Sequence, residues 1–170
     1  MITLITGGAR SGKSSYALEL AEPYHKRVFL ATAEAIDTEM QDRIENHQAE
    51  RGDSFETIEE PLALANVLRN LPEGTDLVLV DCLTVWVGNL LHKHGEDEVS
   101  FVEVTDFLNE LENPPCDIIM VTNEVGMGIV PDNKLSRVYR DIAGRLTQMA
   151  AAVSDRVVLT VAGIPMELKK

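Results

Sequence analysis

Eight residues near the start of the chain, Gly7-Gly8-Ala9-Arg10-Ser11-Gly12-Lys13-Ser14, carry the spacing G-x-x-x-x-G-K-S. That pattern cradles the phosphates of a nucleoside triphosphate. Gly7 and Gly12 permit backbone angles that other residues disfavour, so the loop can turn its N–H groups inward around an anion. Lys13 has the charge and reach to follow the β- and γ-phosphates. The Ser14 hydroxyl is a hard oxygen ligand suited to Mg²⁺. A helix opening at this point would aim its positive pole at the same anion. The chemistry that follows is the binding of a nucleoside triphosphate.

Three other places could contribute. Leu77-Val78-Leu79-Val80-Asp81 is an apolar run ending in an acid. In a protein with this loop the acid is the natural second Mg²⁺ ligand, direct or through water, although Asp also commonly caps a turn. Thr122-Asn123-Glu124-Val125-Gly126-Met127-Gly128 places polar side chains before two closely spaced glycines. It reads either as a loop shaped for close approach of a ligand or as an ordinary Gly-rich connection. His47 falls on one face with Met40 and Ile44 of a helix expected from Asp37 to about Arg51. Spacing alone makes it a partly buried histidine at the edge of an apolar seam. His92 and His94 lie in the polar stretch His92-Lys93-His94-Gly95-Glu96-Asp97-Glu98, which reads as a solvated loop rather than a metal site.

The elements that must position these residues show as strand-like runs: Ile2 to Thr6, Val28 to Ala31, Leu77 to Val80, Ile118 to Thr122 and Val157 to Val161. Helical patterning fills the intervals. This alternation predicts an α/β fold of the P-loop NTPase, RecA-like kind, a mostly parallel sheet with helices on both faces. Its length, 170 residues with 45% hydrophobic, suits a single domain over residues 1–170. The formal net charge of −13 argues against nucleic acid or an anionic membrane as a main partner. Cys82 and Cys116 show no metal spacing and read as reduced thiols, which suits a cytoplasmic protein. No secretory leader pattern opens the sequence, and no run approaches the ~20 apolar residues of a membrane span.

Four segments occurring in order resemble one family over nearly the whole length. They are Gly7 to Ser14, Arg43-Ile44-Glu45-Asn46-His47-Gln48, Thr122 to Pro131, and Arg140-Asp141-Ile142-Ala143-Gly144-Arg145-Leu146. The chain is similar in these to the bifunctional adenosylcobinamide kinase / adenosylcobinamide-phosphate guanylyltransferases of cobalamin biosynthesis. The resemblance implies two reactions. ATP or GTP phosphorylates the aminopropanol hydroxyl of adenosylcobinamide, and GTP then donates GMP to that phosphate, releasing pyrophosphate. It implies a covalent GMP on His47, with Lys13 serving the phosphoryl transfer. It carries nucleotide contacts onto Gly7 to Ser14, Ala31, Thr32, Ala33, Gln48, Ala49, Glu50, Arg51, Glu59 and Asp81. The stretch from Phe55 to Pro61 matches the family only loosely. A homo-oligomer, a trimer by the family's habit, is implied as well. From its spacing one turn after His47, Arg51 could offset phosphate charge.

Other classes fit less well. A GTPase switch would carry an N-K-x-D guanine motif and a D-x-x-G, and neither Thr122-Asn123-Glu124-Val125 nor Asp81-Cys82-Leu83-Thr84 supplies one. A small-metabolite kinase without transferase activity fits the loop but leaves His47 without a chemical task. A nucleotide-binding module without catalysis fits the fold alone.

Overall fold

The computed structural model describes residues 1–34, 54–96 and 100–170. The helix expected from Asp37 to about Arg51, with His47 and Gln48 to Arg51, lies outside the described residues.

Seven strands form one sheet: β1 Ile2–Gly7, β2 Arg27–Ala31, β3 Glu56–Glu59, β4 Leu77–Asp81, β5 Asp117–Asn123, β6 Arg156–Val161 and β7 Ile164–Lys169. Among the described residues the helices are α1 Lys13–Ala21, α2 Leu64–Arg69, α3 Leu83–His94, α4 Val102–Glu112 and α5 Lys134–Val153. The sheet order is β3-β2-β4-β5-β1-β6-β7, with every pair parallel except the antiparallel β6–β7. The five strands read from the sequence are all present, each extended by a residue or so.

The central strands are apolar on both faces because both faces are covered. Along β4, Val78 and Val80 join the larger core cluster, and Leu77 and Leu79 join the smaller one. Side chains alternate across a strand, so successive residues serve opposite layers. The larger layer is roofed by α2, α3, α4 and α5, and the smaller by α1 through Ala17 and Ala21. Helices thus stand on both faces, four against one among the described residues. Trp86 anchors the larger layer. It is fully buried and meets Phe107 edge to face at 5.3 Å. Its indole N–H donates to the Leu62 carbonyl at 2.8 Å, so burying its polar atom leaves nothing unpaired.

Three differences from the sequence reading stand out. β3 was not expected. Glu56-Thr57-Ile58-Glu59 is polar and lies at the sheet edge, where one side of the backbone needs no partner. β7 was not expected either. It returns through a two-residue turn at Ala162 and Gly163, both with positive φ (52° and 80°), pairing Val161 with Ile164. Positive φ at both central residues is what a tight hairpin demands. His92 and His94 sit in the last turn of α3, not in a loop, and Gly95 follows with φ 90°. His94 stacks on Phe101 and lies 2.8 Å from a Glu103 oxygen that also accepts from Lys93 at 2.9 Å.

This clamp joins α3 to the start of α4. Burial pushes the Glu103 carboxyl up, but the hydrogen bonds from Lys93 and His94 outweigh it and hold the group at about 2. A carboxyl held below its ordinary value contributes stability that is full above that value and is lost as pH falls toward the folded value. Denaturant titrations of the wild type should therefore show stability falling between pH 4.5 and about 2. In Glu103→Gln that part of the pH slope should be absent.

Candidate active site

The register of the sheet brings the site together. Gly7 lies level with Asn123 of β5 and Thr160 of β6. Ala31 lies level with Asp81 of β4 and Glu59 of β3. Six strands therefore end along one edge, the carboxyl edge, where parallel sheets place their ligands. The phosphate loop fills the gap between β1 and α1.

Packing makes Gly7 obligatory. A Cβ there would lie 2.5 Å from the Thr160 carbonyl oxygen and 2.6 Å from the Ser11 and Thr160 hydroxyls. Those two hydroxyls are themselves 2.8 Å apart. Thr160 Oγ1 also reaches the Thr6 carbonyl at 3.3 Å, so one hydroxyl ties β6, β1 and the loop. The hairpin turn adds a second brace. The Gly163 N–H donates to the Ser11 carbonyl at 2.9 Å. Gly12, at φ 97°, packs against Gly163, whose Cα would be 3.0 Å from a Cβ at position 12. Arg156 holds the rest of the hairpin, donating to Glu167 at 2.6 Å and to the Tyr16 hydroxyl of α1 at 2.8 Å.

Lys13 is only 7% exposed although it carries charge. Its ammonium donates to the Gly8 carbonyl at 2.6 Å and stands 3.5 Å from the Ser11 hydroxyl. Burial pulls its pKa down, while Cys82 and Asp81 act to raise it. A buried cation with one carbonyl partner is poised for an anion, since attraction grows where water is excluded. Gly8, Ala9 and Arg10 are exposed at the rim, Arg10 in the left-handed region at φ 55°.

Ser14 Oγ lies 3.5 Å from Asp81 Oδ2. The two hard oxygens that the sequence offered for Mg²⁺ therefore converge from α1 and β4. Cys82, not Asp81, occupies the cap position of α3, and its side chain makes no capping hydrogen bond. Among the described residues no three His, Cys, Asp or Glu side chains gather as a metal cage. A hydroxyl and a carboxylate suit an ion that takes its remaining ligands from phosphate and water. The donor set thus fits Mg²⁺ bound with a nucleotide.

Ala31, Thr32 and Ala33 leave β2 beside this edge. Thr32 is fully buried, and its hydroxyl both accepts from the Cys82 N–H and donates to the Cys82 carbonyl, each at 2.9 Å. Its backbone N–H bonds the Asp81 carbonyl at 3.2 Å. Glu59, at the end of β3, is exposed and one strand further out. Both cysteines are free, and burial pushes each thiol up to about 11. Both thiols are therefore held in their protonated form at neutral pH.

Sequence reasoning missed a supporting layer. Asn89 of α3 donates to the Thr32 carbonyl at 2.7 Å and the Pro61 carbonyl at 3.0 Å, fixing the loops after β2 and β3. The Thr84 hydroxyl accepts from Asn123 N–H at 3.3 Å and Nδ2 at 3.2 Å, and Tyr139 OH donates to the Thr84 carbonyl at 3.0 Å. The only hint was an amide among Leu83, Trp86, Val87, Leu90 and Leu91 on the apolar helix. The brace from Thr160 and Gly163 had a hint too: a Gly after a strand, followed by alternating Ile164, Met166 and Leu168.

Fold and cradle together define a P-loop NTPase of the RecA-like kind. The chain superposes with a TM-score of 0.54 on a prototypical ATPase from the type III secretion system of pathogenic bacteria. The identity is 12%, over 93% of this chain and half of that one, so this likeness concerns the fold alone. Residues 3–168 match the model of the cobinamide kinase / cobinamide phosphate guanyltransferase family. The chain belongs to that family and has the two activities that name it. It is 48% identical to the bifunctional adenosylcobalamin biosynthesis protein CobP of Pseudomonas aeruginosa, over 99% of this chain and 98% of that protein. It is 36% identical to the corresponding CobU proteins of Escherichia coli and Salmonella typhimurium, over 99% of this chain and all of each relative.

The brace on the loop is testable. Thr160→Val keeps the shape and removes the hydroxyl that ties Ser11 to Thr6. The variant should fold and lose about 1–2 kcal/mol of stability. Its KM for triphosphate should rise severalfold, measured in steady state beside chemical denaturation.

Proposed function

We propose that one domain spanning residues 1–170 runs both reactions of its family with the roles read from the sequence. The observation that carries this reading is the convergence of Lys13, Ser14 and Asp81 at the carboxyl edge of the sheet in a member of that family. Gly7 to Ser14 hold the phosphates of ATP or GTP. Ser14 and Asp81 would hold Mg²⁺, which supplies charge neutralisation between phosphate oxygens. Ala31, Thr32, Ala33, Gln48, Ala49, Glu50, Arg51 and Glu59 complete the nucleotide contacts.

In the kinase step the hydroxyl oxygen of adenosylcobinamide attacks the γ-phosphorus. The bond from that phosphorus to the leaving diphosphate breaks, and the hydroxyl proton passes to solvent. Lys13 offsets charge on the phosphoryl oxygens as this occurs. In the transferase step a neutral imidazole nitrogen of His47 attacks the α-phosphorus of GTP. A P–N bond forms and pyrophosphate leaves. A phosphate oxygen of adenosylcobinamide phosphate then attacks the same phosphorus, the P–N bond breaks, and adenosylcobinamide-GDP forms.

The acidic surface supports a small-molecule substrate over nucleic acid. The two free cysteines support a cytoplasmic setting. No helix among the described residues is long and apolar enough to cross a membrane. A homo-oligomer, a trimer by family habit, is supported by β7. This edge strand presents Ile164, Met166 and Leu168 to solvent, and exposed apolar edges are ordinarily covered.

Lys13→Ala should lower kcat/KM for phosphorylation of adenosylcobinamide by about a thousandfold or more without unfolding the chain. A folded variant with wild-type kcat/KM would remove Lys13 from the reaction. Asp81→Asn should shift the Mg²⁺ dependence of turnover to higher concentration, and superimposable titrations would return Asp81 to a structural role.

With GTP and Mg²⁺ the wild type should gain the mass of one GMP through an acid-labile, base-stable bond. His47→Asn should abolish both the adduct and guanylyl transfer yet keep part of the kinase activity. Peptide mapping of the adduct to another residue would overturn the assignment. A wild type that transfers GMP to adenosylcobinamide phosphate and never labels would remove the covalent step.

A further inference from the structure

After β5 the chain runs without regular structure from Glu124 to Asn133, and this segment is built rather than frayed. The Glu124 N–H donates to the Gly7 carbonyl at 2.9 Å, joining the segment directly to the phosphate loop. The Glu124 carboxylate then folds back to accept from the N–H groups of Gly126 and Met127, the latter at 3.0 Å. At the far end Arg137 donates to the Pro131 carbonyl at 3.0 Å and the Asp132 carbonyl at 2.7 Å. Asn133 caps α5 by accepting from the Ser136 N–H at 2.7 Å.

Between these ties the segment turns apolar side chains outward. Met127 is 81% exposed and Ile129 97%, flanked by exposed Val125, Val130 and Leu135. A backbone pinned at both ends while it exposes apolar groups to water marks a binding surface. Its position selects the occupant. Asn123 is level with Gly7, so the segment leaves the sheet at the edge where Lys13, Ser14 and Asp81 meet. The other exposed apolar row, on β7, starts beside Val161 at the hairpin turn and from there runs away from this edge: Met166 is level with Leu159, and Lys169 with Val157.

The acceptor in the kinase reaction is a macrocycle with one face covered by its adenosyl group, the other open and methyl-lined, amide arms at its rim and one short arm bearing the reactive hydroxyl. For that hydroxyl to come within about 3–3.5 Å of the γ-phosphorus, the macrocycle must lie beside the loop on a surface continuous with it. We propose that the Val125–Leu135 segment is the platform on which the corrin ring rests. Met127 and Ile129 contact its apolar face, and the Glu124 ties hold the platform at a fixed offset from the phosphates. The inference rests on the functional reading above and names the part of the site that selects the acceptor.

The test is the double variant Met127→Ser/Ile129→Ser, whose two positions are exposed and leave the core untouched. Its KM for adenosylcobinamide should rise about tenfold or more, the scale expected for lost apolar contacts in a substrate site. Its KM for GTP should stay within about twofold, because those contacts do not touch nucleotide. On N-acetyl-1-amino-2-propanol, which has the reactive arm and no ring, variant and wild type should turn over equally. Leu168→Ser, at the far end of β7, should leave the adenosylcobinamide KM unchanged.

An unchanged corrinoid KM in a variant whose wild type is active overturns this inference alone. A raised KM accompanied by a smaller sedimenting species overturns it in favour of contact with a second copy. A wild type that does not phosphorylate adenosylcobinamide overturns the functional reading and this inference with it.

Discussion

The site depends on a steric constraint at Gly7. The loop must wrap an anion with backbone N–H groups while its first residue passes between the Thr160 carbonyl and the Ser11 hydroxyl, leaving no room for a side chain. From that close approach the rest follows. β6 must lie beside β1 to present Thr160. The hairpin must turn within two residues so that Gly163 can meet Ser11 and Gly12. Arg156 then secures both strands of the hairpin to α1 through Glu167 and Tyr16. The loop's shape is thereby set before any nucleotide arrives. Preorganisation of this kind lets fixed dipoles act on developing charge without rearrangement.

Electrostatics give the loop its selectivity. A chain with formal net charge −13 repels anions over most of its surface, yet must bind some of the most highly charged small anions in chemistry. Lys13 is buried where its charge is least screened, with the Gly8 carbonyl at 2.6 Å and the Ser11 hydroxyl at 3.5 Å. The carboxylate of Asp81 stands near enough to oppose the lowering of the Lys13 pKa, but it is aimed at the Ser14 hydroxyl. Lys13 and Ser14 thus stand as neighbouring side chains of one helix.

How much of this was legible in the sequence follows from how local each signal is. The loop is eight consecutive residues, and the central strands are unbroken apolar runs, so both could be read directly. Asp81 could be placed because it closes such a run, and the structure gives the cap position of the next helix to Cys82. β3 was hidden because an edge strand needs no apolar face, and its Glu-Thr-Ile-Glu sequence offers none. β7 was hidden because Pro165 and three solvent-facing apolar residues resemble a tail until the hairpin turn is seen. Asn89, Thr84 and Tyr139 act across 28 to 57 positions, and no spacing rule carries that distance. Family likeness carried His47, which periodicity alone treated as an ordinary packed histidine.

The bond between the Ser11 and Thr160 hydroxyls spans 149 positions. During synthesis the loop leaves the ribosome early, while both strands that must flank β1 arrive much later. A nascent chain therefore carries its phosphate-binding residues long before it has a phosphate-binding site. The growing chain stays blind to nucleotide until residues 156–164 emerge, and GTP can assist folding only after that point.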